Sequence, residues 1–235
     1  DFCLSRGLGD VYKRQILGGA GIESYSLSRF DMRFDSFDPE HYRDYAKLNR
    51  YLISALAVTY NVQNCYDSRN LFSQKQVSVA IKNKRFECEN YDKAAESGGR
   101  DPAYARLELR SKCLTSNDIE KQFHGWYIRL DKALKNLDKV HQRYNDELEK
   151  IYKEEKNSFP VKFRSLTDFL IQYQNCIFCK AQMVDLLSRF DEVKNPETRA
   201  KNHKKRYGIE YFSKMDVEYA VAEIKRAAEK FFKGT

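Results

Sequence analysis

The chain has 235 residues, of which 42 are Lys or Arg and 34 are Asp or Glu, so its formal net charge is +8 at pH 7. With 42% hydrophobic and 14% aromatic residues, it carries enough apolar area to offset chain entropy, which excludes a disordered chain. No run approaches the ~20 apolar residues that a helical membrane span needs, so no membrane partner is expected. The basic excess makes a polyanion such as nucleic acid the expected partner.

The first residues do not read as part of a natural gene. Ser5–Gln15 (SRGLGDVYKRQ) resembles one reading frame of the end sequence of a transposon-based sequencing-library adapter. Residues 1–15 are therefore excluded from fold prediction, and the natural protein is expected to begin upstream of Ile16. The glycines at positions 18, 19 and 21 are interpreted as a loop rather than a nucleotide-binding turn, because no strand precedes them.

Residues 16–114 form the first predicted domain, in which apolar and polar side chains alternate as they do in strands. The predicted strands are Tyr25–Phe34, Val77–Ile81, Arg85–Tyr91 and Tyr104–Lys112, of which the middle two read as a hairpin. Pro39–Asn61 has the periodicity of an amphipathic helix that begins near a proline. The order β-α-β-β-(short α)-β predicts the α+β class, with a mostly antiparallel sheet and a helix packed on one face.

Residues 115–235 form the second predicted region, which is basic and α-helical. Helices are predicted over Ser116–Lys156, Leu166–Phe190 and Asp216–Phe232, the last capped by Ser213 or Asp216. A predicted linker over Arg199–Arg206 holds five basic residues in eight. It is interpreted either as a solvated charge run or as a surface that contacts phosphate.

The cysteines predict free thiols in a reducing compartment, because the five outside residues 1–15 lack the spacing of a disulfide framework. Cys176 and Cys179 have the spacing of a zinc knuckle, but no second pair completes four ligands. On an apolar helical stretch, they are better interpreted as two core thiols.

Three side chains on the predicted strands are candidates for chemistry: Asp31, Tyr91 and Glu108. Each also has an ordinary interpretation, since the carboxylates can face solvent beside an arginine and the tyrosine can be a half-buried aromatic. Carboxylates on adjacent strands can share Mg²⁺ or Mn²⁺, which would stabilise charge during phosphoryl transfer. A tyrosine beside such an ion can act as a nucleophile, with Lys93 as a nearby cation.

These residues stand in three motifs that resemble a known superfamily. The motifs are Ser28–Asp31 (SRFD), Tyr91–Glu96 (YDKAAE) and Ala105–Lys112 (ARLELRSK). They are similar to motifs in the replication initiators of filamentous phages and of small rolling-circle plasmids of Gram-positive bacteria. In that superfamily an Asp on the first core strand binds metal, a Tyr-x-Lys-x-x-Glu segment supplies the nucleophile, and a strand with alternating Arg, Glu and Arg supplies a second acidic ligand.

The resemblance implies a Rep-nuclease-like core that nicks single-stranded origin DNA, leaves a 5′-phosphotyrosine and later rejoins the strand. It implies that Asp31 and Glu108 bind a divalent metal (Mg²⁺ or Mn²⁺), that Tyr91 is the nucleophile and that Lys93 supports it; Glu96 matches the motif without an assigned role. The candidates for holding DNA are Arg33, Arg106, Arg110, Lys112, Lys204, Lys205 and Arg206. The implied partners are single-stranded or cruciform origin DNA and a host helicase, in the cytoplasm of a bacterial host cell.

The chain departs from that superfamily in two respects. Its four histidines are scattered, so it lacks a His-hydrophobic-His motif and any metal site would be acidic. The portion expected before the first core strand is largely missing, which predicts a truncated chain.

Three alternatives stay open. A mobilisation relaxase uses the same chemistry. A non-catalytic basic DNA-binding protein would not need Asp31 or Glu108. A helical interaction module over residues 116–232 would need a large exposed apolar stripe, which the interleaved charges disfavour.

Overall fold

The computed structural model describes residues 2–4, 27–36, 42–59, 78–82, 86–100, 105–114 and 116–233. The strands are β1 (Phe2–Leu4), β2 (Leu27–Ser36), β3 (Ser78–Lys82), β4 (Phe86–Asp92) and β5 (Ala105–Leu114). Two helices lie between the strands, α1 (Tyr42–Thr59) and the short α2 (Lys93–Glu96). The helices that follow are α3 (Ser116–Leu134), α4 (Leu137–Lys156), α5 (Leu166–Gln172), α6 (Lys180–Ser188), α7 (Pro196–Tyr207) and α8 (Lys214–Lys233).

The strands form one antiparallel sheet in the order β1-β2-β5-β4-β3. In the pairing of β2 with β5, Ser36 lies opposite Ala105 and Leu27 lies opposite Leu114. β3 and β4 form the predicted hairpin, with Ser78 opposite Tyr91. The predicted α+β class and the predicted order of strands and helices are confirmed, and the ends of the four predicted strands move by one or two residues. The short β1 falls within the residues excluded from fold prediction, and Pro39 lies outside the described residues.

One face of the sheet is apolar and packs against α1. The face presents alternate residues that are at most 4% exposed: Met32, Phe34, Cys88, Leu107 and Leu109. The side-chain amide of Asn90 on β4 also donates to the carbonyl of Ala46 on α1 at 3.2 Å. Burial of this face fixes the register, since a slip by one residue would expose the apolar set. The helix predicted on one face of the sheet is therefore confirmed.

The helical character predicted over Ser116–Lys156 is confirmed, but a break at residues 135–136 divides this stretch into two helices, α3 and α4. At the break, the N–H groups of Lys135 and Asn136 donate to carbonyls three residues back, on Lys132 and Ala133. Such bonds tighten and end a last helical turn. Both helices then pack on α1, and α4 buries Tyr144.

The single helix predicted over Leu166–Phe190 is wrong. The chain forms α5, a 3₁₀ turn over Gln174–Cys176, and α6. The Gln182 side chain satisfies the backbone of the break, because it accepts from the N–H of Phe178 at 2.7 Å and donates to the carbonyl of Cys176 at 2.9 Å. Cys176 and Cys179 therefore flank a break rather than share a helical stretch. Both are free thiols, Cys176 buried and Cys179 partly buried.

The linker predicted over Arg199–Arg206 lies within α7, so that prediction is wrong. Asn195 caps the helix by accepting from the N–H of Thr198 at 3.1 Å, and Pro196 occupies its first turn. Gly208 ends it in a left-handed conformation with φ 63°. These signals outweigh the charge repulsion that a basic run places on one helix.

The cap predicted for the last helix is confirmed at Ser213. Its hydroxyl accepts from the N–H of Asp216 at 3.2 Å, and the Asp216 carboxylate accepts from the N–H of Ser213 at 2.6 Å. This reciprocal pair is a capping box with Asp in the place of Glu. The helix therefore starts at Lys214, two residues before the predicted start.

Two partly or fully buried histidines predict how stability changes with pH. Burial lowers the pKa of His141, and burial with Arg199 and Arg206 lowers the pKa of His203. The unfolded chain then binds more protons than the folded chain below about pH 7, so the free energy of unfolding should fall as pH falls through that region. Urea unfolding between pH 7.5 and 5 measures the slope.

The two histidines are tested by comparing that slope between variants. Replacing both with glutamine should flatten the slope. Equal slopes in the parent chain and the double variant would contradict the assignment.

Candidate active site

The sheet face opposite α1 is polar. We call it the polar face; it consists of Asp31, Arg33 and Asp35 from β2, Arg106, Glu108 and Arg110 from β5, and Glu87, Glu89 and Tyr91 from β4. Alternation along each strand places these side chains on one side of the sheet. The register then sets Asp35 opposite Arg106, and Arg106 opposite Tyr91. The polar face therefore combines carboxylates, arginines and one phenol.

Two hydrogen bonds hold Tyr91, which lies in the end row of this face beside Arg106 and Asp35. Its hydroxyl donates to Glu108 Oε2 at 2.7 Å and accepts from Arg106 Nη1 at 3.4 Å. Tyr91 is 5% exposed and Glu108 is 2% exposed. Burial, reinforced by the Glu108 carboxylate, raises the pKa of Tyr91 above its usual range. The phenol is thus protonated at neutral pH, and a proton acceptor is already in contact with it.

Arg106 is fixed by a bidentate ion pair with Asp35. Its Nε donates to Asp35 Oδ1 at 2.6 Å and its Nη2 donates to Asp35 Oδ2 at 2.7 Å. Arg106 is 8% exposed and Asp35 is 2% exposed. Two parallel bonds fix both the position and the plane of the guanidinium. Asp35 therefore sets where the third nitrogen of Arg106 meets the Tyr91 hydroxyl.

Arg110 balances a group of carboxylates on the same face. Its Nε donates to Glu108 Oε1 at 3.1 Å, and its Nη1 lies 3.1 Å from Glu87 Oε1 and 2.7 Å from Glu89 Oε2. Burial raises the pKa of Glu89, while Arg110 acts in the opposite direction. Arg33 lies further out, with Nε 3.8 Å from Glu108 Oε1 and a side chain 42% exposed.

The structure brings two of the predicted site residues, Tyr91 and Glu108, into direct contact. Asp31 lies on the same face but opposite Arg110, so it is a diagonal neighbour of Glu108 rather than its cross-strand partner. Glu108 is buried, so its ordinary interpretation as a solvent-facing carboxylate is wrong. Tyr91 is more buried than a half-buried aromatic at a strand end.

Of the remaining predicted residues, some lie near Tyr91 and Glu108 and others lie apart from them. Strand β4 ends at Asp92, and Lys93 begins α2 with its Nζ 5.8 Å from the centroid of the Tyr91 ring. Lys93 forms an ion pair with Glu96, a residue to which the motif assigned no role. The side chain of Lys112 lies outside the described residues.

A basic surface lies on α7, apart from the polar face. Lys204, Lys205 and Arg206 are exposed there, in successive positions of its last turn. Lys204 Nζ lies 3.6 Å from Glu210 Oε1. An exposed ion pair of this kind is weak, so it leaves the lysine able to exchange partners.

The donor set at Asp31 and Glu108 does not form a ready-made metal centre. Both Glu108 oxygens accept hydrogen bonds from the protein, one from Tyr91 and one from Arg110. Among the described residues, no three His, Cys, Asp or Glu side chains are grouped so that they could hold a metal ion. A divalent ion at Glu108 would have to displace Arg110 or the Tyr91 hydroxyl.

Three residues of the polar face are absent from the sequence prediction: Asp35, Glu87 and Glu89. Asp35 continues the alternation of Asp31 and Arg33, and a first strand predicted two residues longer would have included it. Glu87, Glu89 and Tyr91 are every second residue of β4, so all three lie on the same face. The alternation of polar and apolar residues, followed to the ends of the strands, would therefore have identified all three residues.

No family model, no curated protein and no solved structure matches this chain. Its function is therefore inferred from the polar face and from the sequence motifs. Among the described helices, none is both long and apolar enough to cross a membrane.

Proposed function

We propose that the chain nicks and rejoins single-stranded origin DNA to initiate rolling-circle replication, with Tyr91 as the nucleophile. The observation that carries the proposal is the position of the Tyr91 hydroxyl, between a carboxylate that can accept its proton and an arginine that can bind phosphate. The three sequence motifs support it, because they lie on β2, β4 with α2, and β5. On this proposal, residues 16–114 are a Rep-nuclease-like core and residues 115–235 are a basic helical region.

In the proposed reaction, the Tyr91 oxygen attacks the phosphorus of a DNA phosphodiester while Glu108 accepts the phenolic proton. A bond forms between the tyrosine oxygen and phosphorus, and the bond from phosphorus to the 3′-oxygen breaks. The 3′-oxygen takes a proton from water and leaves as a free 3′-OH, which can prime synthesis. The 5′-phosphotyrosine that remains is later attacked by a 3′-OH, which reverses the step.

The arginines of the polar face supply the electrostatic part of the proposal. Arg106 Nη1 lies beside the attacking oxygen, where it can stabilise negative charge on the phosphoryl oxygens. Arg33 is the most exposed of the three and lies at the rim, suited to the neighbouring backbone phosphate. Arg110 holds Glu108 in place from the opposite side.

The resemblance adds Mg²⁺ or Mn²⁺, bound at Asp31 and Glu108, to the proposal. Such an ion would neutralise charge on the phosphate. None of the steps above is routed through the ion, and an ion at Glu108 would have to displace Arg110 or the Tyr91 hydroxyl.

A second candidate function, non-catalytic DNA binding, is favoured by the burial of Tyr91. A side chain 5% exposed has to be uncovered before a phosphodiester can reach it. On this reading the polar face is a structural network, and the exposed Lys204, Lys205 and Arg206 of α7 bind the phosphates.

A mobilisation relaxase would use the same nicking reaction at Tyr91. The proposed partners are single-stranded or cruciform origin DNA and a host helicase.

Covalent capture tests the proposal. The chain is incubated with labelled single-stranded oligonucleotides from the DNA that flanks its gene, with Mn²⁺ or with a chelator, and run on a denaturing gel. We expect labelled protein, with the label on the peptide that contains Tyr91. An adduct that needs Mn²⁺ supports the metal at Asp31 and Glu108; an adduct of equal yield with chelator contradicts it. Salt-sensitive binding without any adduct would contradict nicking and support the second function.

A further inference from the structure

A cleft of about 560 Å³ lies on the α1 side of the molecule, away from the polar face. Its walls come from three elements: the start of α1, the segment between α7 and α8, and the first half of α8. The lining residues are Asp44, Tyr45, Leu48, Glu210, Tyr211, Phe212, Asp216, Tyr219, Ala220 and Glu223. The cleft is large enough for a small organic molecule.

Aromatic rings form much of the wall, and two of them already hold ammonium groups of the chain itself. Lys47 Nζ lies 5.8 Å from the centroid of Phe212, and Lys204 Nζ lies 5.9 Å from the centroid of Tyr211. Both distances lie just inside the limit of about 6 Å for a cation–π contact. Tyr219, which also lines the cleft, is 67% exposed. The walls are therefore of a kind that attracts organic cations.

The charge of the lining also favours a cation. Its described lining carries four carboxylates and no basic side chain, although the whole chain has a net charge of +8. Glu210 and Glu223 have basic partners outside the lining, Lys204 at 3.6 Å and Arg226 at 2.6 Å. The four carboxylates make the described lining negative, and a negative lining attracts an ammonium group.

The spacing of the carboxylates argues against a metal ion. They come from three elements, and among the described residues no three His, Cys, Asp or Glu side chains are grouped so that they could hold a metal ion. The floor between them is apolar, with Leu48 and Ala220 buried. Methylene groups suit that floor, and separated ammonium groups suit the carboxylates. An inorganic cation would use neither the floor nor the rings.

We infer that this cleft binds an aliphatic polyamine. Its ammonium groups pair with the carboxylates of α1, α8 and the segment between α7 and α8, and its methylenes lie against the aromatic and aliphatic walls. The inference does not depend on the chemistry of Tyr91, because it uses a different surface. It can therefore hold or fail independently of the proposed nicking activity.

Calorimetric titration of the whole chain with spermidine, in 0.15 M NaCl and without DNA, tests the inference. We expect saturable binding at one site. A double variant, Glu210→Gln with Tyr219→Ala, should bind about tenfold more weakly, since it loses a charge and a ring. Glu218→Gln is the matched control, because Glu218 is exposed on α8, pairs with Lys214 and does not line the cleft. The control should bind as the parent chain does.

Several results would overturn the inference. They are the absence of saturable binding, equal affinity in the double variant and the control, and full displacement of spermidine by Mg²⁺ at matched ionic strength, which would indicate screening alone. Circular dichroism checks the fold of each variant. If the double variant unfolds, Tyr219→Ala alone provides the same comparison, because that side chain is largely exposed.

Discussion

Replacing Tyr91 with phenylalanine is expected to reduce the covalent DNA adduct to background, a loss of about 10³-fold or more. The variant lacks the oxygen that would bond to phosphorus, whereas its ring still fills the same space. The loss of the hydrogen bond to Glu108 should cost about 1–2 kcal/mol of stability, since Arg110 still pairs with that carboxylate. The denaturing gel of the capture experiment measures the adduct directly.

The matched control is Tyr144→Phe. Tyr144 is 1% exposed, and its hydroxyl shares a hydrogen bond of 2.6 Å with Ser54 Oγ, far from the polar face in the core beside α1. The chemical change and the loss of a buried hydrogen bond are the same, so the adduct should persist. An adduct formed by the Tyr91 variant would remove Tyr91 from the mechanism. Loss of the adduct in both variants would indicate that folding, rather than the nucleophile, was affected.

Replacing Asp35 with alanine is expected to lower the free energy of unfolding by about 3–5 kcal/mol. The change leaves the Arg106 guanidinium, which is 8% exposed, without its bidentate partner. The cost comes from a buried charge left uncompensated, rather than from the intrinsic strength of the pair. Urea unfolding at pH 7 measures it as a shift of the midpoint without a change of slope.

Two comparisons separate this effect from an ordinary loss of a surface ion pair. Asp146→Ala removes an ion pair of 2.7 Å with Arg189, but Asp146 is 62% exposed, so that variant should lose less than about 1 kcal/mol. Adding Arg106→Met to Asp35→Ala should restore much of the stability, because it removes the buried charge that has lost its carboxylate partner. Similar losses for the Asp35 and Asp146 variants would show that the pair is not effectively buried.

The sheet was predictable because burial leaves a strong periodic signal. Leu107 and Leu109 alternate with Arg106, Glu108 and Arg110, and only one register places the leucines against α1. The helix breaks carried no comparable signal. Cys176 and Phe178 are as apolar as the helix residues around them, and the groups that end α5 are satisfied by the Gln182 side chain, which becomes a partner only once the chain has folded.

Motif and strand order assigned Tyr91 and Glu108 to one site, but they predicted neither the hydrogen bond between the two side chains nor the burial of both. Charged residues at every second position of a strand are typical of a solvent-exposed face, but the same sequence pattern also occurs when that face is buried. What decides the matter is the cross-strand register, which brings Asp35 opposite Arg106. Register between strands far apart in sequence depends on the whole fold, so Asp35 could not be assigned from its neighbours alone.

That same pairing has a consequence for how the chain folds. β2 and β5 are central neighbours, yet the hairpin β3–β4, α1 and α2 all lie between them in sequence. Closing so long a loop is entropically unfavourable until the contacts it enables are made, whereas hairpins and helices form from near neighbours. The hairpin and the helices should therefore be populated early. The polar face, which needs β2 against β5, should be assembled in the last and slowest step.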